Sequence, residues 1–138
     1  MKTKKNFLKH RHTIKKNSLI VRTFLEMMNT IKLYNFNTKS FTERKSTDEL
    51  YEKMNKTTDK LVEVLLGKKS SRVNMVENRI QLIDIHSNQS LRNRIFEYRI
   101  FLIDFNMYFS PNIDSDILSI RDETLEYLNQ FLYLLTLK

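Results

Sequence analysis

Asp59 and Glu63 are the side chains best placed for metal chemistry, two carboxylates four residues apart with Lys56 and Lys60 beside them. A pair at this spacing shares one helix face, where it can hold a cation or simply face water. Di-iron sites inside helix bundles need more: Glu on two helices and Glu-x-x-His on two others. The only histidines are His10, His12 and His86, and no Glu-x-x-His occurs. A ferroxidase or other di-iron oxidase site is therefore not expected, and no catalytic residue is assigned. Cysteine is absent, which excludes disulfide and thiol chemistry. At about 100° per residue, Asp59 and Glu63 lie opposite the apolar face of their helix. They read either as a solvated acid pair or as a residual iron site. His10-x-His12 could hold a metal weakly.

The second chemical signal is charge. Residues 1–25 carry Lys2, Lys4, Lys5, Lys9, Arg11, Lys15, Lys16 and Arg22 with no acid, while the remainder has 16 basic and 16 acidic side chains. Acid-free cations neutralise phosphates without reading sequence, and binding of that kind weakens as salt rises. No zinc finger, recognition helix or aromatic platform accompanies them. Nucleic acid is the partner expected for Lys2, Lys4, Lys5, Lys9, Arg11, Lys15 and Lys16. An anionic membrane or acidic protein surface, and a solubility tail with no specific role, are the alternatives.

These residues need a scaffold. The 138 residues allow one domain, and 41% apolar with 29% charged side chains is a globular composition. No apolar run approaches the roughly 20 residues of a membrane span, and no secretory signal is expected. Only one Gly and one Pro occur, which disfavours turn-rich β architectures. The absence of Ala and the abundance of Asn, Lys and Ile suggest AT-rich coding.

Residues 1–16 show no sustained period and read as a flexible basic arm, and 17–138 read as a four-helix bundle. Ile20, Phe24, Met27, Met28, Ile31 and Tyr34 predict a first helix ending near Phe36. A polar connection, 37–46, leads to a second helix from about Thr47 to Leu66, capped by Ser46 or Thr47 and stopped at Gly67. Its inner face is Leu50, Met54, Leu61, Val64 and Leu65. Val73, Val76, Ile80 and Ile83 predict a short helix inside the long connection 68–88. A third helix is expected over about 89–109 and a fourth from Asp114 or Ser115 through Thr136. The long connection permits the second and third helices to run parallel.

The third helix has two apolar stripes. Leu91, Ile95, Tyr98, Leu102, Phe105 and Phe109 form one, and Phe96, Ile100, Ile103 and Met107 form another nearly opposite. One stripe faces the core, so the second is expected at a subunit interface, or covered by the arm or by 68–88. Arg121 shares a stripe with Ile117, Thr124, Leu128 and Phe131. It is expected to snorkel to water, with a bridge to an acid on a neighbouring helix or a ligand site as alternatives.

Leu33-Tyr34-Asn35-Phe36, Asp48-Glu49-Leu50-Tyr51 and Asp59-x-x-x-Glu63 together resemble the first two helices of Dps-type miniferritins. That family has Leu-Tyr-His-Trp, a second His in a short loop, Asp-Glu-x-Tyr and Asp-x-x-x-Glu. Here Asn35 and Arg44 stand at the histidine positions. An amide is a poor iron ligand and a guanidinium is none, so the metal site at Asp59 and Glu63 reads as vestigial. Residues 17–138 are also similar to a family of small proteins from large DNA viruses, through these helices and the run Ile120-Arg121-Asp122-Glu123 to Leu135. The resemblance implies an all-α, ferritin-like four-helix bundle with a short extra helix in the second-to-third connection. Taken with the missing histidines, the reading is a non-enzymatic, Dps-like protein that forms homo-oligomers and contacts nucleic acid through its arm, with no cofactor expected. The alternatives are a residual iron-binding miniferritin and a structural or host-interaction module. The expected setting is intracellular, in host cytoplasm or a viral factory, or in the virion.

Overall fold

Apolar residues at spacings of three and four, almost uninterrupted by Gly or Pro, give four long helices. In the computed structural model these are α1 (Lys2–Asn37), α2 (Phe41–Lys69), α3 (Asn88–Ile103) and α4 (Ser115–Leu134), with a 3-10 turn, Asp104–Met107, continuing α3. The structure describes residues 2–69, 72–76 and 79–137, and side chains within 16–68, 72–76 and 79–137. No strand occurs among them, and no described helix is long and apolar enough to cross a membrane.

Hydrogen bonds and ion pairs at the two ends of the molecule fix the topology. At one end Lys68, closing α2, lies 3.6 Å from Asp114 and 3.3 Å from Asp116 where α4 begins. At the other, Glu43 of α2 accepts from Asn88 at 2.9 Å, and Arg92 of α3 donates to the Leu135 carbonyl at 2.9 Å. α2 and α3 therefore start at the same end and run parallel, each antiparallel to α1 and α4. Parallel neighbours need a crossover. The described residues of the connection, 72–76 and 79–87, lie alongside α1, where the Val76 amide donates to Ser18 Oγ at 2.9 Å and the Gln81 amide to Glu26 Oε1 at 3.0 Å.

The core follows the expected stripes. Every inward residue named for α1 and for the core face of α3 is buried, as are Leu50, Met54, Leu61 and Leu65 of α2 and Ile117, Thr124, Leu128, Phe131 and Leu135 of α4 or its end. Val64 is partly buried. Where α1 crosses α3, Phe24 meets Phe101 edge-on at 6.3 Å and Phe105 at 6.4 Å, and Phe105 meets Phe109 at 5.4 Å. Such tilted pairs add to the stabilisation from burial alone.

Several boundaries differ from expectation. α1 takes in residues 2–16, the segment read as an arm. α2 starts at Phe41, not Thr47, because Ser40 caps it: Ser40 Oγ accepts the Glu43 amide at 3.2 Å. Thr47 is instead buried mid-helix, with Oγ1 donating to the Glu43 carbonyl at 2.8 Å. Gly67 does not stop α2, which continues to Lys69. No left-handed backbone occurs at Gly67, so the helix lacks the C-terminal cap that a glycine there would provide. The short helix in 73–83 is also corrected. The described residues 72–76 and 79–86 have no helix, and two of their amides bond to α1 side chains instead. α3 ends at Ile103 and tightens into the 3-10 turn, with Phe105 and Phe109 still buried.

Candidate functional site

The residues with chemical potential fall into four groups. The first is the basic segment. Lys2, Lys4, Lys5, Lys9, Arg11 and Lys15 lie on α1, and their side chains, with those of His10 and His12, are outside the described ones. Lys16 is described, with its ammonium 4.6 Å from the centre of the Phe109 ring, a cation–π contact. The base of the segment thereby sits where α3 ends. Arg22, its last cation, lies 3.8 Å from Glu26, the first acid of the chain.

The acid pair forms the second group. Asp59 and Glu63 are both exposed on α2, as their spacing predicts. Thr57 and Thr58 just before them and Leu61 between them are buried, and Thr58 Oγ1 lies 3.3 Å from Met28 Sδ. Among the described residues no three His, Asp or Glu side chains converge to hold a metal. Asn35 is 3% exposed. Its Nδ2 donates to the Arg44 carbonyl at 2.9 Å, Thr47 Oγ1 at 2.8 Å and Asp48 Oδ1 at 2.9 Å. The amide thus ties the end of α1 to the opening turns of α2. Arg44 is exposed and enters this network through its backbone.

A third group, around Glu43, was not foreseen. Its Oε2 accepts from Tyr34 Oη at 3.0 Å and Thr38 Oγ1 at 2.6 Å, and its Oε1 accepts from Asn88 Nδ2 at 2.9 Å. One carboxylate therefore joins α1, the α1–α2 turn and the start of α3. Burial alone would raise the Glu43 pKa, but the bonds from Thr38, Asn88 and Tyr34 outweigh it and hold the carboxyl below its ordinary range. Burial and the adjacent carboxylate push the Tyr34 hydroxyl up to about 12. A recess of about 640 Å³ opens beside this cluster, between the α1–α2 turn and residues 84–88. His86 on its rim is exposed and lies 3.3 Å from Asp84. The sequence signal for this cluster was Ser40-Phe41-Thr42-Glu43, a serine three residues before a glutamate at a helix start.

Arg121 and the outer stripe of α3 complete the set. Arg121 is 7% exposed and does not snorkel. Its Nη1 donates to the Leu102 carbonyl and its Nη2 to Asn106 Oδ1, each at 2.9 Å, while Nε meets Asp122 at 2.7 Å. It closes the C-terminal end of α3, where unpaired carbonyls favour a cation. Phe96, Ile100, Ile103 and Met107 are 46%, 59%, 47% and 72% exposed, so the described residues, those within 68–88 included, leave them open. The Arg99 guanidinium lies 5.4 Å from the Phe96 ring centre, at the edge of this stripe. Comparison with known proteins gives no match to a family model, to a curated protein or to a solved structure.

Proposed function

We propose that this chain is a non-enzymatic, Dps-like helical scaffold of viral origin. In this reading it self-associates through its bundle and neutralises nucleic-acid phosphates through its basic N-terminal segment. The observation that carries the reading is the charge distribution: eight cations without an acid in residues 1–25, and an electrically balanced remainder. A balanced body has no general attraction for polyanions, so affinity would reside in one segment and depend steeply on salt. Two observations support the scaffold half of the proposal. The order of helix directions, with one long crossover between parallel α2 and α3, is the connectivity of ferritin-like bundles. Asn35 and Arg44, at the positions of the family's imidazoles, are engaged in holding α1 to α2.

The test is duplex-DNA binding by the full chain across a salt series, beside a variant with Lys2, Lys4, Lys5, Lys9, Arg11 and Lys15 all changed to Gln. Lys16 is retained because it packs on Phe109. Wild type should bind at low salt, with log affinity falling linearly in log salt by about 0.9 per phosphate neutralised. The variant should lose most of that binding and most of the slope. No binding by wild type at low salt, or equal binding by both proteins, would refute the proposal.

A further inference from the structure

The outer stripe of α3 has the spacing of a coiled-coil seam, and its flanking charges select the partner. Phe96, Ile100, Ile103 and Met107 are separated by four, three and four residues, the d-a-d-a alternation of a heptad. In that register Asn93 takes the preceding a position, Arg99 a g position and Asp104 the following e position. The core residues Ile95, Tyr98, Leu102 and Phe105 fall at c and f, on the opposite side. Asp104 opens the 3-10 turn with φ −64° and ψ −11°, so the right-handed path continues, and the tighter winding of about 3.0 residues per turn carries Met107 to the edge of the seam.

We propose that α3 pairs in parallel with α3 of a second copy of this chain, across Phe96, Ile100, Ile103 and Met107. In a parallel pair each g side chain meets the e side chain five positions on in the partner. That relation joins Arg99 to Asp104 of the second copy, twice by symmetry. Neither residue makes an ion pair within its own chain among the described residues, and Arg99 Nε has no hydrogen-bond partner there. Arg92 and Glu97 repeat the same offset one heptad earlier, although each is also engaged within its own chain. An antiparallel pair with the stripe in full overlap would set Asp104 against Glu97 of the copy, which is repulsive, and Arg99 against Asn106, which leaves its charge unpaired. The charges therefore fit this stripe to a copy of itself, and in one orientation. Asn at an a position is tolerated where two helices pair and fixes their register.

This inference rests on the self-association half of the proposed function and is independent of the nucleic-acid half. The experiment is the solution mass of the full chain against concentration, with helicity monitored by circular dichroism. Wild type should form a dimer, and Ile100→Glu should remain a monomer of unchanged helicity. Arg99→Asp should raise the dimer dissociation constant roughly tenfold. Adding Asp104→Arg should restore it, because the reversed pair is again opposite in sign. In the cysteine-free chain, Ile103→Cys should form an interchain disulfide on mild oxidation, since d residues of a parallel pair face their own copies within disulfide reach. Lys56→Cys, exposed on α2, should not. A dimer indifferent to Ile100→Glu, to charge reversal and to Ile103→Cys would overturn the α3 pairing while leaving self-association standing. A monomer at every concentration would overturn both, and neither result decides whether the basic segment binds DNA, which is measured separately.

Discussion

Replacing Glu43 tests whether one carboxylate holds three elements together. In Glu43→Ala, Tyr34 Oη, Thr38 Oγ1 and Asn88 Nδ2 lose their acceptor together. A hydrogen bond to a charged group is worth about 1.5–3 kcal/mol net, and three would sum to about 4.5–9 kcal/mol. The cluster is only partly buried, so water replaces much of the lost bonding and screens the charge. The expected cost is about 3 kcal/mol. Glu43→Gln retains one oxygen for Tyr34 and Thr38, and Asn88 can turn its own oxygen toward the new amide. Its cost is the loss of charge assistance, about 1–2 kcal/mol. Against a total stability of about 5–15 kcal/mol, both shifts are readable in urea unfolding. A double-mutant cycle with Tyr34→Phe isolates the Tyr34 bond and should give about 1 kcal/mol of coupling. Acid unfolding supplies an independent readout. The folded pKa of Glu43 is lowered, so its contribution is full above the unfolded value of 4.5 and is lost as pH falls through the folded one. Glu43→Gln should flatten that limb. A cost below about 0.5 kcal/mol for Glu43→Ala, with additive behaviour in the cycle, would refute the assignment and leave Glu43 an ordinary surface acid.

Tyr34 makes the complementary alkaline prediction. Its folded pKa is raised from 10.0 to about 12, so its contribution is full below pH 10 and is lost as pH rises from there through 12. Wild type should lose about 2 kcal/mol across that interval and Tyr34→Phe should lose less, as measured by urea unfolding at each pH. Arg121→Ala should cost about 2–4 kcal/mol, because it leaves the Leu102 carbonyl without its buried donor. Arg121→Met refills the space but supplies no donor, so it should recover only the packing part of the loss; equal unfolding midpoints for Ala, Met and wild type would contradict the cap.

The apolar periodicity carried most of the fold. Stripes on α1, α3 and α4 marked the residues that prove buried, because a helix with one wet face must repeat its dry one every three or four residues. The start of α2 escaped for a physical reason. Residues 41–46 carry no inward stripe until Ser46, and what holds them is polar: Ser40 at the cap, Asn35 across from α1 and Glu43 beneath Tyr34. Periodicity is blind to such anchors, and Ser46-Thr47-Asp48-Glu49 offered a second plausible cap. The segment 73–83 failed in the opposite way. Its spacings are helical, but Val76 and Ile80 are exposed, and Ser18 and Glu26 take two of its amides. Arg121 was expected to snorkel from its core stripe and is buried instead. Its partners were not legible, since a backbone carbonyl as acceptor leaves no trace in residue type. Asp59 and Glu63 sit where their spacing placed them, on the wet face of α2.

The topology links the two proposals in a way that can be tested. α1 runs antiparallel to α3, and Lys16 rests on Phe109 just beyond the end of α3. A parallel α3 pair has its twofold axis along the helices, so equivalent points of both copies lie at the same height. Both basic segments would then begin at one end of the dimer, each with its eight cations. An antiparallel pair would send them to opposite ends. Two segments on one polyanion bind with a local effective concentration that a monomer lacks, and their phosphate contacts add in the salt slope. Ile100→Glu lies far along the chain from the basic segment and adds one negative charge to a chain of net charge +8. Through charge alone it should alter DNA affinity about twofold or less, whereas through loss of pairing it should lower affinity at least tenfold and roughly halve the salt slope. The comparison is made at protein concentrations above and below dimer dissociation. An unchanged slope together with a confirmed monomer would mean that each segment binds alone, and the placement of the pair would carry no advantage for nucleic-acid binding.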